Sequence, residues 1–318
     1  LRKLFVTLGL TLVACGGSKS SGFNDGPGDG GGGTVGDGGG GGGSFIDTGT
    51  GGGGGGNLDC AEAAKLVYVI TQTNVLYSFY PKDRIFKQIG TLNCPAPGMN
   101  SLGMTAQPNS MAVDRSGTAW VNFDSGKLFK VSTTDASCMG TSFRPLQSNF
   151  MKFGMGFSSN TAGSKDETLY VVGIQDSLLG VSGQGLAKID LGTMKLTTIA
   201  DFSDGLAMQG AELTGSGAGN LYGFFTSSPA TLSPIDKTTA ATPMANQKVL
   251  TGVDTGTAWA FSFWGGDFWY YTAGSGKTTD VTQQKASSDN SISVVKSQIG
   301  FRIVGAGVST CAPLTPPK

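Results

Sequence analysis

The sequence predicts an all-β fold, a single β-propeller of five blades (six if the 99–107 or 276–300 stretch holds further strands), behind a glycine-rich tether. Three observations predict it. Runs of four to eight residues rich in Val, Tyr, Phe, Trp and Thr recur between Gly, Asn, Asp and Ser turns, and no 3.6-residue apolar stripe follows Ala64. Aligned with one another, these runs form a repeat of four strands, the unit of one blade. Finally, the two ends of the repeat region are complementary, one lacking an innermost strand and the other supplying a candidate for it.

The chain opens with Arg2 and Lys3, followed by an apolar stretch that includes Leu4, Phe5, Val6, Leu8, Leu10, Leu12 and Val13. This is too short to span a bilayer and suits a secretory leader. It ends in Leu12-Val13-Ala14-Cys15, which resembles the lipobox of bacterial lipoproteins. The resemblance implies a signal peptide over 1–14, cleavage before Cys15, and acylation of that cysteine, so that the protein meets the membrane through a lipid anchor. In the sorting pattern of that family an Asp after the acylated cysteine retains the protein in the inner membrane; Gly16 does not match it, which favours the outer membrane.

Residues 15–59 carry the lipidated cysteine and a tether of mostly Gly, Ser, Asp and Thr, with glycine runs at 30–33, 38–43 and 51–56. With almost no apolar side chains this segment cannot offset its ordering entropy, and a Gly-rich chain of this length spans roughly 35–40 Å. A phosphate-cradling loop needs a strand before it and a helix after it, and the pattern here offers neither. Asp25, Asp29, Asp37, Asp47 and Asp59 against Lys19 make the tether acidic, which disfavours contact with anionic headgroups.

The folded domain is expected over 60–318. Its clearest unit is Asn109-Ser110-Met111-Ala112-Val113-Asp114, then Gly117-Thr118-Ala119-Trp120-Val121-Asn122-Phe123, then Gly126-Lys127-Leu128-Phe129-Lys130-Val131, then a fourth run near 137–143. Further copies start near 152, 210 and 257. The runs at 66–70, 75–80 and 84–92 supply three strands of a blade without its innermost one, and Phe301-Arg302-Ile303-Val304-Gly305-Ala306-Gly307-Val308 has the small and apolar alternation of that missing strand. Closing the ring with both termini removes exposed sheet edges.

The Leu-Tyr strand, glycine turn and Leu-x-x-Ile-Asp strand resemble the NHL, quinoprotein-like and gluconolactonase-like propellers over 66 to about 309. These strand motifs are degenerate, so the resemblance speaks to architecture rather than activity.

Besides Cys15 there are four cysteines, Cys60, Cys94, Cys138 and Cys311, which suits an oxidising compartment and allows three pairings. If the last strand closes the first blade, Cys60 and Cys311 become neighbours and latch the ring, leaving Cys94 with Cys138. Their spacing contains no Cys-x-x-Cys to suggest a metal site.

Composition narrows function. Formal charge is zero, 22 basic against 22 acidic residues, with no Lys/Arg cluster after the leader, so nucleic acid is not an expected partner. Histidine is absent, which removes the commonest general base and every Ser-His or Cys-His pair. The leading expectation is a binding or scaffold module for an envelope protein, a peptide or a glycan, with no assigned catalytic residue and no required cofactor. The alternative, implied by the gluconolactonase-like resemblance, is a calcium-dependent lactonase-like hydrolase whose metal sits at the channel mouth on Glu, Asn and Asp. Glu212, Asp114, Asp254 and Asn109 are the candidate ligands. Asp114 and Asp254 also read as turn caps, whereas Glu212, flanked by Ala and Leu on an inner strand, is the least ordinary of them. In the aromatic run 259–271, Trp264 before Gly265-Gly266 is expected in a turn, the best candidate for an exposed ligand-binding ring, while Trp259, Phe261 and Phe263 share a strand face suited to packing between blades.

Overall fold

The computed structural model describes residues 60–174 and 183–317. The lipobox, Cys15 and the tether lie outside the described residues. Twenty strands form five four-stranded antiparallel sheets, and no helix among the described residues is long and apolar enough to cross a membrane.

The first blade is built from both ends of the chain. Its inner strand is β20 (Ile303–Val308), which pairs with β1 (Val67–Thr71); β2 (Val75–Tyr80) and β3 (Ile85–Thr91) complete it. Pairing of Val67 with Val308 and Val69 with Ala306 sets the register of the closure. The second blade runs β4 (Pro108–Val113), β5 (Thr118–Phe123), β6 (Leu128–Ser132) and β7 (Cys138–Gly140). The third runs β8 (Phe153–Ser159), β9 (Glu167–Gly173), β10 (Leu186–Asp190) and β11 (Lys195–Ala200). The fourth runs β12 (Ala211–Gly215), β13 (Leu221–Phe225), β14 (Thr231–Pro234) and β15 (Lys248–Val249), and the fifth β16 (Ala258–Trp264), β17 (Asp267–Ala273), β18 (Asp280–Gln284) and β19 (Ile292–Lys296). The two stretches that left room for a sixth blade are thereby resolved. Residues 276–300 contain the outer half of the fifth blade, and 99–107 is a loop closed by a single Met99–Thr105 bridge.

Apolar side chains separate into five clusters, one at each junction between neighbouring blades. This is why the strands of each blade are buried on both faces near the axis and exposed at the rim: β8 and β17 are buried throughout, while β3 and β19 are not. Phe261 stacks on Tyr270 and tilts against Phe224 between the fourth and fourth-neighbouring fifth blades, and Phe79 of the first blade meets Trp269 and Tyr271 of the fifth edge to face.

Inner strands pass backbone against backbone. A Cβ on Gly154 would lie 1.9 Å from the Ala211 carbonyl oxygen, and one on Gly215 would lie 2.1 Å from that of Phe157. Glycine is required there because no side chain fits between β8 and β12.

Cys60 is bonded to Cys311, and Cys94 to Cys138. The first pair joins residues 251 apart in sequence. In the chain-entropy model closing such a loop stabilises by up to about 5 kcal/mol.

Candidate functional site

Every inner strand starts on the same face, so the central channel has two unlike ends. At the N-terminal ends of the inner strands it opens into a cavity of about 770 Å³, to which all five blades contribute. Asn109 comes from β4, Glu212 from β12, Trp259 from β16 and Val304 from β20, and Lys152 lies just before β8. Asp124, Lys277 and Arg302 come from loops at the rim.

Glu212 forms the floor. Its side chain is 1% exposed, Oε2 accepts a 2.7 Å hydrogen bond from the Ser110 hydroxyl, and Oε1 has no partner. Burial pushes its pKa well above the usual carboxylate range, opposed by the Ser110 hydroxyl and the Met155 backbone amide. Burial thus favours the neutral carboxyl form, whose unused oxygen can give or take a hydrogen bond.

The rim is cationic. Arg302 is pinned by neutral oxygens only: Nη1 donates to the carbonyls of Gly274 (2.8 Å) and Lys277 (3.0 Å), and Nη2 donates to Thr257 Oγ1. Among the described residues the guanidinium pairs with no carboxylate. Asp124 is the carboxylate counterpart, and both its oxygens are engaged, Oδ1 by the Gln107 amide N–H at 2.8 Å and Oδ2 by Asn100 Nδ2 at 3.1 Å. Lys152, Lys277 and Arg302 share the mouth with this one carboxylate and with Glu212 among the described lining residues. The Asn100 loop also carries Met99, Leu102 and Met104, exposed by 70, 62 and 56%.

The opposite end of the channel is closed by the two chain termini. Ser309 Oγ donates to the Ala64 carbonyl at 2.6 Å, Trp264 Nε1 to the Lys65 carbonyl at 2.8 Å, and the Gly265 amide to the Pro313 carbonyl at 2.8 Å. Here a second glutamate is half-buried. Glu167 Oε1 accepts from the Arg115 backbone N–H at 2.8 Å and Oε2 from Thr310 Oγ1 at 2.7 Å, while the Arg115 guanidinium donates to Thr310 Oγ1 and to Cys60 Sγ. Burial raises Glu167 to about 7, with the nearby Asp114 charge adding to the shift and the Arg115 amide, the Thr310 hydroxyl and the Arg115 charge opposing it.

The four residues expected to share a metal are not brought together. Glu212 and Asn109 both line the mouth, and Asn109 Nδ2 is committed to Asn122 Oδ1 and the Phe153 carbonyl. Asp114 lies past the far end of β4, where it accepts from the backbone N–H groups of Ser116 and Thr118 and from Trp120 Nε1. Asp254 is exposed in the loop before β16, not on the inner strand itself, and accepts from the Gly256 N–H. Both aspartates cap turns because a short carboxylate can reach the N–H two residues on. Among the described residues no three His, Cys, Asp or Glu side chains are placed to hold a metal together. Calcium takes six to eight oxygens and favours carboxylates; one buried carboxylic acid and one committed amide beneath a cationic rim do not fit it.

Trp264 is also corrected. It is 4% exposed, because β16 continues through it to pair with Asp267 and the turn consists only of Gly265 and Gly266, both with positive φ. Such a two-residue hairpin requires φ values that glycine adopts freely. The C-terminal segment then packs over the turn. The partly exposed aromatic at a candidate site is Trp259 instead, at the mouth.

Sequence reasoning missed Arg302, Lys152, Lys277, Asp124 and the Glu167 cluster. Their shared signal is position: the first three and Asp124 sit in loops on the mouth face, at or near strand ends.

No family model matches the sequence, and no curated protein sequence matches it. A solved structure similar to this chain is that of TolB from Acinetobacter baumannii, with 11% identity and a TM-score of 0.41 over 76% of this chain. The match spans 55% of that protein's length.

Proposed function

We infer that this protein is a lipid-anchored cell-envelope propeller that binds a partner at its open channel mouth. The observation that carries this reading is the asymmetry of the channel. One end is sealed by the entering and leaving chain, while the other presents a cavity of about 770 Å³ walled by all five blades. A rigid ring that points loops and charged side chains at a single cavity has the form of a recognition site. The exposed Met99, Leu102 and Met104 beside it supply the apolar, adaptable surface that protein partners use.

The anchor reading rests on the lipobox and on the acidic tether that follows it, and Gly16 supports the outer membrane. Cys60 itself lies on the closed face, bonded to Cys311 and touched by Arg115.

Two measurements test the reading. The full chain should fractionate with membranes and become soluble when Cys15 is replaced by Ala. A photo-crosslinking amino acid at Thr278 on the mouth should capture an envelope partner in cells, and one at Asp289 on the closed face should not. Equal capture at both positions, or at neither, would reject the mouth as the binding surface.

A further inference from the structure

We propose that the channel mouth takes the C-terminal carboxylate of a polypeptide, held by Arg302 with Lys152 and Lys277 at the rim and by the carboxyl group of Glu212 at the floor. This inference rests on the reading of the mouth as a binding site and names the group it recognises.

The cavity is a blind one. On the inner strands its lining includes Pro108 and Asn109, Glu212, Ala258 and Trp259, and Val304, all within the first two positions of their strands. At this level the Ser110 hydroxyl on β4 reaches Glu212 on β12 across the channel, and the ends of the described chain meet at the far end. A chain can therefore enter only by its end, which for a polypeptide is a carboxylate or an ammonium.

Charge chooses between these. Among the described lining residues the rim carries Arg302 and Lys277 beside Lys152, and the Asp124 carboxylate there already accepts two hydrogen bonds. Arg302 is held in place by three bonds to neutral oxygens, so its charge is fixed in position and uncompensated by a carboxylate among the described residues. A guanidinium prepared in this way suits a planar carboxylate. An ammonium would meet like charge at the rim and find no ionised acceptor at the floor.

Glu212 is the second, independent sign of a ligand. Ser110 occupies Oε2, leaving Oε1 buried without a partner in the wall of the cavity. An unsatisfied buried polar atom is costly. A protonated carboxyl supplies an O–H donor for a carboxylate oxygen, and burial is what keeps the proton in place.

The surroundings favour a peptide over an acidic sugar. Met99, Leu102 and Met104 project from the loop tied to Asp124 through Asn100, and thioethers and methyl groups pack on apolar side chains while offering nothing to hydroxyls. Trp259 is the one aromatic ring among the lining residues.

The test titrates the full chain, purified in detergent with its disulfides intact, with N-acetyl-trialanine as the free acid, with the corresponding C-terminal amide, and with glucuronate. The free acid should bind at least tenfold more tightly than the amide and weaken as salt rises. That preference should fall severalfold in Arg302→Gln and in Glu212→Leu, and survive in Glu212→Gln, which keeps a donor of the same shape. Lys152→Gln provides a further rim variant that does not disturb the Arg302 contacts. Equal affinity for acid and amide would overturn the carboxylate assignment while leaving the mouth a peptide site. Glucuronate binding in place of the peptide acid would overturn the choice of polypeptide. Failure of all three probes, together with absent crosslinking at Thr278, would remove both this inference and the reading beneath it.

Discussion

The two ends of the channel hold one glutamate each, half-buried at the closed end and fully buried at the mouth, and they satisfy it in opposite ways. At the closed end Glu167 is satisfied at both oxygens by the Arg115 amide and the Thr310 hydroxyl, and its acidity is poised near neutrality, about 7. At the mouth Glu212 is deeper, bonded by a side chain through one oxygen only, and its pKa is pushed upward by burial. The closed end spends its polar groups on joining the termini, whereas the mouth leaves polar groups facing an opening. That contrast separates a structural use of a carboxyl from one available to a ligand.

The largest expected effect lies at the closed end. Replacing both Cys60 and Cys311 by Ser should lower stability by about 3–5 kcal/mol in chemical denaturation, without changing the affinity of a ligand at the mouth. A parallel loss of affinity would show that the two ends are coupled.

The glutamates themselves provide the next test. Each has a folded pKa raised above its unfolded value, so the native state holds the extra proton and stability falls as pH rises. The fall is about 1.4 kcal/mol per pH unit for each group across its own window. For Glu167 the window runs from about 4.5 to about 7, where its contribution ends; for Glu212 it begins at the same point and continues upward. Glu167→Gln should therefore be more stable than the parent at pH 8, by about 2–3 kcal/mol at most, and should lose the break in slope near pH 7. Glu212→Gln should keep that break and flatten the decline above it. Both variants flatten the curve between their shared starting point and pH 7; if Glu212→Gln also removed the break near pH 7, the distinction between the two ends would fail.

A smaller effect is expected at Asp114, which caps the turn between β4 and β5 and holds Trp120. Asp114→Ala should cost about 1–2 kcal/mol. Asp254→Ala should leave the melting temperature unchanged, since its one turn contact is exposed. Neither variant should alter the response to added calcium; a calcium-dependent rise in melting temperature lost in either one would restore a metal role for these residues.

Much of the architecture was legible because each blade repeats a local pattern. Leu169 to Val172, the Leu186 to Asp190 run and the turns at Asp190 and Asp236 can be aligned by eye, and both aspartates occupy the same place, accepting N–H bonds from the two or three residues that follow. Complementary ends made β20 the partner of β1 and placed Cys60 beside Cys311. The site was less legible for a corresponding reason. Glu212 stood out as a lone acid on an apolar strand, but Asp114, just past β4, occupies the opposite end of the channel from Asn109, five positions earlier, and short turns looked the same at both ends. Trp264 was misplaced because a strand-terminal residue and a turn residue differ by one position, and only pairing with Asp267 decides between them.

By itself the sequence determined the propeller architecture, the strand runs and the poverty of conventional catalytic groups, since these depend on period and composition, while the choice of five blades over six was settled by strand pairing. Tertiary structure alone decided which residues share the mouth. Lys152, Glu212, Lys277 and Arg302 lie far apart along the chain, and they converge only because five inner strands begin on one face of a closed ring. Convergence of that kind is a property of the ring's geometry, and burial and charge at the mouth follow from it.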